Sequence, residues 1–250
     1  MPRDTWFLLR GLSREAGHWG DFVPAFARAF PSADVVALDL PGAGLRRDER
    51  WPGSVAAAAA AVRDAALRAP AGRRFVFGVS LGGMLTMEWA ARFPGELAGV
   101  VIGASSARDL SPFWKRMRPI AWKPILLGSL ERDVARREAA IVRTICNHAD
   151  HWDTTTSAWA SLARERPLHH ATARGQILSA IRWRAPSALP VPALFLTGER
   201  DRMVHADCTR ALARRYRAPV AFHPTAGHDL TTDAGDWVID QVRRWHTSLS

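Results

Sequence analysis

The chain alternates short apolar runs with stretches whose apolar residues recur at helical spacing. Continuous apolar runs of about four to eight residues are typical of strands buried on both faces, whereas apolar positions three or four apart are typical of helices that bury one side. In the first hundred residues the runs predict strands at residues 5–10, 34–40, 75–79 and 97–102. The intervening stretches predict helices at residues 18–30, 55–69 and 81–93, the second capped by Ser54.

This alternation stops after the fourth strand and resumes only near residue 190. Residues 104–188 contain no strand pattern, and we expect several helices there, broken at Pro119, Pro124, Gly128, Pro167 and Gly175. Beyond them the pattern predicts a strand at 191–196, a helix at 206–216, a strand at 219–222 and a last helix at 233–245.

Strands that alternate with helices indicate a parallel sheet covered by helices on both faces. The six apolar runs predict six strands. The predicted fold class is therefore α/β, with a mainly parallel six-stranded sheet flanked by helices. Residues 1–104 and 189–250 are predicted to form this core, and residues 105–188 a helical lid over one end of the sheet.

The strongest chemical signal is Gly78-Val79-Ser80-Leu81-Gly82, where the third strand turns directly into a helix. A serine on such a sharp, strained turn exposes its hydroxyl, and the residues two before and two after it must be small so that strand and helix can approach. Gly78 and Gly82 meet that demand. The helix N-terminus also places its positive dipole end beside a reacting carbonyl. Ser80 is therefore predicted to be a nucleophile.

A serine hydroxyl needs a base, and the base needs an acid that orients it. Where the nucleophile lies on this kind of turn, the acid and then the base follow it along the chain. Asp201 follows the fifth strand and His228 the sixth, so parallel pairing brings both to the same edge of the sheet as Ser80. We predict Asp201 as the acid and His228 as the base. The alternatives for the acid are Glu199, Asp207 and Asp109.

Negative charge that develops on a substrate oxygen needs two backbone N–H donors, an oxyanion hole. The residue after the nucleophile, Leu81, is predicted to supply one donor. The loop after the first strand, Gly11-Leu12-Ser13, is expected to supply the other through Leu12. Together with the serine and its base, these donors predict acyl transfer through a covalent acyl-enzyme.

Five segments give the chain a resemblance to a known superfamily. The chain resembles the α/β-hydrolases over nearly its whole length, and its compact size and helical lid are similar to the pimeloyl-carrier-protein methyl ester esterases and related small carboxylesterases. The resemblance implies an acyl pocket between lid and core. One departure is Arg10, since the family usually has histidine at this position. The segments are Arg10-Gly11-Leu12 with Trp19 downstream, residues 39–44, residues 78–83, residues 197–201 and Gly227-His228.

Tryptophan is concentrated in the predicted lid, which holds five of the 11 in the chain. Such side chains can line an apolar substrate pocket. They can equally form the core of the lid itself, and that alternative stays open for each of them. The substrate contacts predicted on this basis are Leu12, Trp114, Trp122 and Trp152.

Positive charge is concentrated in the same segment. The chain carries a formal charge of +10, and residues 106–186 hold 14 basic and seven acidic residues, a net +7. A basic lid can steer an anionic substrate, such as a carboxylate, a coenzyme A ester or an acidic acyl carrier protein. The alternative is a solvated surface in an arginine-rich chain. No basic run is interleaved with aromatic residues, so no nucleic-acid partner is expected.

The remaining signals predict a cytoplasmic protein without a cofactor. The sequence has no run of 18 apolar residues that would indicate a membrane span, and its first ten residues lack a secretory signal. Cys146 and Cys208 have neither metal nor disulfide spacing and are expected to be reduced packing residues. His148 and His151 have no further ligand at metal spacing, so no metal site is predicted.

Hydrolysis of a small-molecule carboxylic (acyl) ester is the predicted reaction. The resemblance implies that dehalogenases and epoxide hydrolases of this superfamily use an aspartate as the nucleophile. A serine at position 80 therefore disfavours those two reactions. One fold can host several activities. The alternatives that remain open are thioester, amide or acyl-transfer chemistry, C–C or peroxide chemistry, and a ligand-binding protein with little turnover.

Overall fold

The computed structural model describes residues 3–68, 72–122, 124 and 131–249. The strands are β1 (Asp4–Leu9), β2 (Ala33–Leu38), β3 (Arg74–Val79), β4 (Gly99–Gly103), β5 (Ala193–Gly198) and β6 (Val220–His223). The α-helices of the described residues are α1 (Phe22–Ala29), α2 (Val55–Ala66), α3 (Leu81–Arg92), α4 (Phe113–Arg116), α5 (Val134–Ile145), α6 (Trp152–Glu165), α7 (His170–Arg182), α8 (Ala206–Tyr216) and α9 (Leu230–Thr247).

The described strands form one six-stranded sheet in the order β2-β1-β3-β4-β5-β6, and every neighbouring pair is parallel. The predicted fold class, strand number and strand direction are therefore confirmed. The strand order reverses between β1 and β3, where Leu9 pairs with Gly78. Such a switch point leaves a crevice at the carboxyl ends of the strands, which is where open α/β sheets bind ligands.

Strand β1 shows why the strands are apolar runs without alternation. Successive side chains point to opposite faces of a pleated sheet. Phe7 and Leu9 pack with residues of α2, α3 and α8, whereas Trp6 and Leu8 pack with residues of α1 and α9. All four side chains are at most 1% exposed. Both faces of the sheet are covered, as a parallel sheet requires.

Two predicted helices have different bounds in the structure. The helix expected over residues 18–30 is divided, because Gly20 has a φ of 49° and separates a 3₁₀ helix, Ala16–Trp19, from α1. The last helix begins at Leu230 and not at residue 233, and it is kinked at Ala234, whose backbone is not helical. Its N-cap is Asp229, whose carboxylate accepts a hydrogen bond from the Thr232 N–H.

Between β4 and β5 the described residues form helices joined by loops, with no residue in a strand, and α7 runs through Gly175, where a break was expected. Helices α5 and α6 share a small core of their own, formed by Val142, Ile145, Cys146 and Trp159. The boundaries predicted at 105 and 188, and the role of this segment as a lid, stay predictions. The break expected at Gly128 and the helix end expected at residue 69 lie outside the described residues. None of the described helices is both long and apolar enough to cross a bilayer.

Candidate active site

Ser80 lies on the tight turn between β3 and α3. Its φ of 57° and ψ of −115° are rarely adopted by residues with a side chain, and its N–H donates to the Gly103 carbonyl oxygen at 2.8 Å. A Cβ on Gly82 would lie 2.6 Å from the Arg10 carbonyl oxygen and closer still to that of Leu9. The small residue predicted at this position is therefore required, because the end of β1 lies directly against the start of α3.

His228 and Asp201 form a buried pair at the carboxyl ends of β6 and β5. His228 Nδ1 lies 2.8 Å from Asp201 Oδ2, and Asp201 has no exposed surface. The second carboxylate oxygen, Oδ1, accepts hydrogen bonds from the N–H groups of Met203 at 2.7 Å and Val204 at 2.8 Å. These two bonds fix the carboxylate so that Oδ2 faces the imidazole.

Two nearby carboxylates make His228 a stronger base. Burial by itself lowers the pKa of His228, but the negative charge and hydrogen bond of Asp201 raise it, and the charge of Asp229 adds to this effect. Arg10 acts in the opposite direction. The resulting pKa of His228 lies above its ordinary value. A raised pKa suits a group that has to remove a hydroxyl proton.

The structure distinguishes between the four acids that the sequence left open. Asp201 is the one that bonds to His228, and all four lie within the described residues. The other three bond elsewhere: Asp109 accepts from the Ala185 N–H, and Asp207 and Glu199 both pair with Arg210.

Arg10, where the chain departs from the expected histidine, links the loops that carry Ser80 and His228. β1 ends one residue earlier than predicted, so Arg10 leaves the sheet and its guanidinium forms a buried ion pair with Asp229, the residue after His228. The residue after Arg10, Gly11, lies against the nucleophile turn. A Cβ added to Gly11 would be 3.2 Å from Ser80 Cβ. The loop after β1 therefore touches both the serine turn and the histidine loop.

The two N–H groups predicted as oxyanion donors are available for a ligand. Within the described part of the chain, neither the Leu12 nor the Leu81 N–H has a hydrogen-bond acceptor, and the Ser80 hydroxyl has no partner. Leu81 is the first residue of α3, where an N–H has no partner within the helix. The next residue after Leu12, Ser13, has a φ of 59°, and its N–H donates to Gln176 Oε1 at 2.8 Å.

Buried polar groups that the sequence patterns did not single out join the helical segment to the loop after β1. Arg14 pairs with Glu138 of α5 at 2.7 Å, and Glu15 pairs with Arg166 at 2.6 Å. Gln176 of α7 is fully buried, and its Nε2 has no partner among the described residues. Among the buried polar residues around the loop after β1, only Arg10 had a signal in the sequence, because it departs from the expected motif. The others are recognisable by burial alone.

A second unforeseen group supports the loop that carries the histidine. The Asp233 carboxylate accepts hydrogen bonds from the N–H groups of Asn147, His148 and Gly227. His148 Nε2 also lies 3.0 Å from the Thr225 hydroxyl. His148 thus packs against the histidine loop, and no cluster of three or more His, Cys, Asp or Glu in the described residues could hold a metal ion.

The residues predicted to contact substrate do not form one cluster. Trp114 and Trp122 are 63% and 47% exposed. Trp152 packs against the core of α5 and α6 and donates to the Cys146 carbonyl oxygen at 3.1 Å. Leu12 is half-buried against the main core. Trp152 therefore contributes to the core of the helical segment, and contact of these residues with substrate stays a prediction.

Both cysteines are buried and free, which agrees with the predicted packing role. Burial raises the pKa of Cys208 to about 11 and raises that of Cys146 further. Both thiols are therefore protonated at neutral pH, and neither is an activated nucleophile.

The chain is similar to several known proteins. The profile of the Alpha/beta hydrolase family matches residues 7–241. The chain is 29% identical over 250 residues to a pimeloyl-[acyl-carrier protein] methyl ester esterase of Xanthomonas campestris pv. campestris (strain B100), covering 93% of this chain and 92% of that one. It is 30% identical over 224 residues to the same esterase of Methylococcus capsulatus, covering 83% and 80%. The crystal structure of the esterase RhEst1 from Rhodococcus sp. ECU1013 shares the fold, with a TM-score of 0.75 at 19% identity over 99% of this chain and 92% of that one.

Proposed function

The chain belongs to the alpha/beta hydrolase family, and from this premise we propose that it is a serine esterase that cleaves a carboxylic ester through Ser80, His228 and Asp201. The observation that carries the proposal is the buried His228–Asp201 pair. Strands β5 and β6 bring this pair to the sheet edge at which the strained Ser80 turn also lies. The N–H groups of Leu12 and Leu81, which have no acceptor among the described residues, support the same reading.

In the proposed reaction, His228 Nε2 takes the hydroxyl proton of Ser80 while the serine oxygen attacks the acyl carbon. Asp201 stabilises the imidazolium that forms. The carbonyl oxygen becomes an oxyanion that accepts hydrogen bonds from the N–H groups of Leu12 and Leu81. Collapse of this intermediate breaks the ester C–O bond, and His228 gives its proton to the leaving alcohol. Water then attacks the acyl-enzyme, loses a proton to the same histidine, and releases the carboxylic acid while the serine regains its proton.

As substrate we propose an acyl ester carried by an acidic carrier protein. The related esterases of Xanthomonas campestris and Methylococcus capsulatus are named for a carrier-linked ester, and residues 106–186 of this chain have a net charge of +7. Helix α7 exposes Ile177, Leu178 and Ile181, each about 40% accessible. Arg174 and Arg182 flank them, exposed and without an ion pair among the described residues. Apolar side chains bordered by arginines complement an acidic surface with an apolar centre.

Ser80→Ala tests the catalytic part of the proposal. With p-nitrophenyl esters of graded acyl length, we expect the wild type to turn over and Ser80→Ala to lose at least about a thousandfold in kcat. Ser106→Ala, which removes another buried hydroxyl nearby in the fold, should stay within about threefold, since its hydroxyl has no part in the chemistry.

A phosphonate probe provides an independent measurement. The intact mass of the wild type and of Ser106→Ala should increase by one adduct, whereas that of Ser80→Ala should not. An unmodified wild type with intact circular dichroism would contradict the esterase proposal. Matched oxygen ester, thioester and amide substrates with one acyl group then decide which bond is cleaved best.

Ionic strength tests the carrier. Because exposed charges are screened within about 10 Å at 0.1 M salt, kcat/KM for a carrier-linked ester should fall about tenfold between low and high salt, while that for a short neutral ester stays unchanged. Arg182→Glu should weaken only the carrier-linked reaction. Arg28→Glu, the same charge change on α1 and outside the helical segment, is the matched control. Identical salt responses of the two substrates would refute carrier docking.

A further inference from the structure

Arg10 and Asp229 form a deeply buried ion pair, with each side chain 3% exposed. The pairing is bidentate: Nη2 bonds to Oδ2, and Nη1 lies 3.2 Å from Oδ1. Nη1 also donates to the Thr231 hydroxyl at 3.2 Å, and that hydroxyl donates to Asp229 Oδ1 at 3.0 Å. The Thr232 N–H completes the set of donors to the carboxylate at 3.3 Å.

The surroundings of the guanidinium suit an arginine specifically. Its central carbon lies 4.9 Å from the ring centre of Trp19 and 5.8 Å from that of Trp159. A planar cation can stack on such rings and pair bidentately with a carboxylate, which a lysine cannot do. Burying two charges costs desolvation free energy, so apolar residues of similar volume would often stabilise a fold as well or better. The stability of the fold is therefore a weak reason for this pair.

Its position indicates another reason. Arg10 precedes Gly11, which lies against Ser80, and the proposed oxyanion donor follows next. Asp229 follows His228 directly and is the N-cap of α9. The ion pair therefore joins the loop at the nucleophile to the loop of the base, although the two residues are 219 positions apart.

We propose that Arg10 and Asp229 are positioning residues, whose ion pair holds His228 in register with the Ser80 turn and balances the charge next to the imidazole. The inference rests on the proposed function, which assigns His228 the role of base. The ring is then fixed from two sides. Asp201 holds its Nδ1, and the pair holds the backbone that follows it.

The charges that face His228 make the two partners distinguishable. Asp201 and Asp229 raise the pKa of His228, and Arg10 lowers it. Burial raises the pKa of Asp229, but the charge and hydrogen bonds of Arg10, together with hydrogen bonds from Thr231 and Thr232, outweigh burial, so the carboxylate stays ionised. On the α5 side, Cys146 is a neutral thiol because burial raises its pKa. Removing one partner therefore leaves the other unbalanced beside the imidazole.

The test measures the acid limb of the pH profile of kcat/KM, and the imidazole titration of His228 by NMR, in single variants. Asp229→Asn leaves Arg10 unbalanced, so the limb and the titration should move to lower pH by about one unit. In Arg10→Met the hydrogen bonds from Thr231 and Thr232 still hold the Asp229 carboxylate, and the positive charge that lowers the pKa of His228 is gone, so both should move to higher pH by about one unit. In each variant kcat should fall about 10- to 100-fold, because the loop spacing is no longer held.

Arg14→Met and Glu138→Gln are the matched controls. This ion pair is similarly buried, at 9% and 5%, and starts on the same loop, but its partner lies on α5 and not on the histidine loop. Each control should lower Tm as much as the test variants do, without moving the acid limb. A purely structural role for Arg10 and Asp229 would give the same result as these controls.

Two further variants keep the test decisive if a single variant fails to fold. The double variant Arg10→Met with Asp229→Asn leaves no unpaired buried charge, so it should recover Tm. Its acid limb should return towards that of the wild type, while kcat stays low. Arg10→Lys keeps the charge and loses the bidentate geometry. Its kcat should therefore fall, while the acid limb of kcat/KM stays at the pH of the wild type.

The inference would be overturned if Asp229→Asn and Arg10→Met shifted the acid limb and the His228 titration in the same direction, or if neither variant shifted them. A wild-type kcat in Arg10→Met or in the double variant would also overturn it. If the wild type hydrolyses no ester, the proposed function fails instead, and the NMR titration of His228 still decides whether the ion pair controls the imidazole.

Discussion

Gly82→Ala tests whether the nucleophile turn depends on the close approach of β1 and α3. The new Cβ would lie 2.6 Å from the Arg10 carbonyl oxygen and closer to that of Leu9, whereas ordinary contact begins at 3.4 Å. Both obstacles are backbone atoms at the end of a central strand, so no side-chain rotation relieves the overlap. The end of β1 and the start of α3 have to separate by about 0.8 Å or more.

Two opposing effects set the magnitude. Alanine is the better helix former, by about 1 kcal/mol. Overpacking costs about 1–3 kcal/mol where neighbours can yield, and a rigid backbone puts this substitution at the upper end. We expect a net loss of about 2 kcal/mol in the free energy of unfolding, which for a chain of this length lowers Tm by about 4–8 °C. Since a displacement of about 1 Å at a reacting centre can cost about 100-fold in rate, kcat should fall by a similar factor.

Circular dichroism melts and p-nitrophenyl ester kinetics measure the two effects, with two alanine controls. At Gly95 a Cβ would meet nothing within 4 Å, so Gly95→Ala should leave Tm and kcat unchanged. At Gly83 it would lie 2.9 Å from the Cγ2 atom of Ile102 and 3.2 Å from the Gly78 carbonyl oxygen, which are smaller overlaps than at Gly82, so Gly83→Ala should be intermediate. If Gly82→Ala behaves like Gly95→Ala, or if the order is reversed, the steric reasoning is wrong.

Four further predictions follow from the site. Asp201→Asn removes the charge that stabilises the imidazolium, so kcat should fall about 10³- to 10⁴-fold; a loss below tenfold would assign the role to another carboxylate. Since the pKa of His228 is raised, activity should be lost as pH falls through a value above about 6.5. The contribution of His228 to the free energy of unfolding has the opposite pH dependence. It is fully present below about 6.5, the pKa of histidine in the unfolded chain, and is lost as pH rises through the pKa of His228 in the folded protein. Urea unfolding of wild type and His228→Gln should therefore differ less at high pH, and a constant difference would contradict the linkage. Gln176→Ala leaves the Ser13 N–H without its acceptor beside a strained backbone, so kcat should fall about tenfold, at a cost of about 1–3 kcal/mol in stability; unchanged kinetics would show that this bond does not support the oxyanion loop.

The predictable features of the site are those that local sequence rules encode. A serine between two glycines at a strand–helix turn needs only a few neighbouring residues to be recognised. Asp201 and His228 could be anticipated because parallel strands deliver their carboxyl ends to one edge. Three competing acids could not be separated from Asp201 in the same way. The candidate carboxylates differ in position by about the length of one side chain. Only the folded loops determine which of them reaches the imidazole.

The helical segment shows where local rules mislead. An amphipathic helix is expected to bury its apolar side. Helix α7 instead buries Thr172, Gln176 and Ser179, while Ile177 and Ile181 are exposed. Its inward polar groups are satisfied by loops of the core, as when Trp51 donates to the Ser179 hydroxyl and Ser13 donates to Gln176. A periodicity in one helix carries no information about such partners.

The sequence by itself determined the sheet, the order of its elements, and Ser80 and His228 as members of the proposed triad. These follow from interactions within a strand, a helix or a turn, whose physical rules act over a few positions. The tertiary structure alone decided how the site is held together. The Arg10–Asp229 pair spans 219 positions and the Arg14–Glu138 pair spans 124. Each is bound to its partner only because folding removes both charges from water at one place, and a charge has no periodicity along the chain that would reveal where its counter-charge lies.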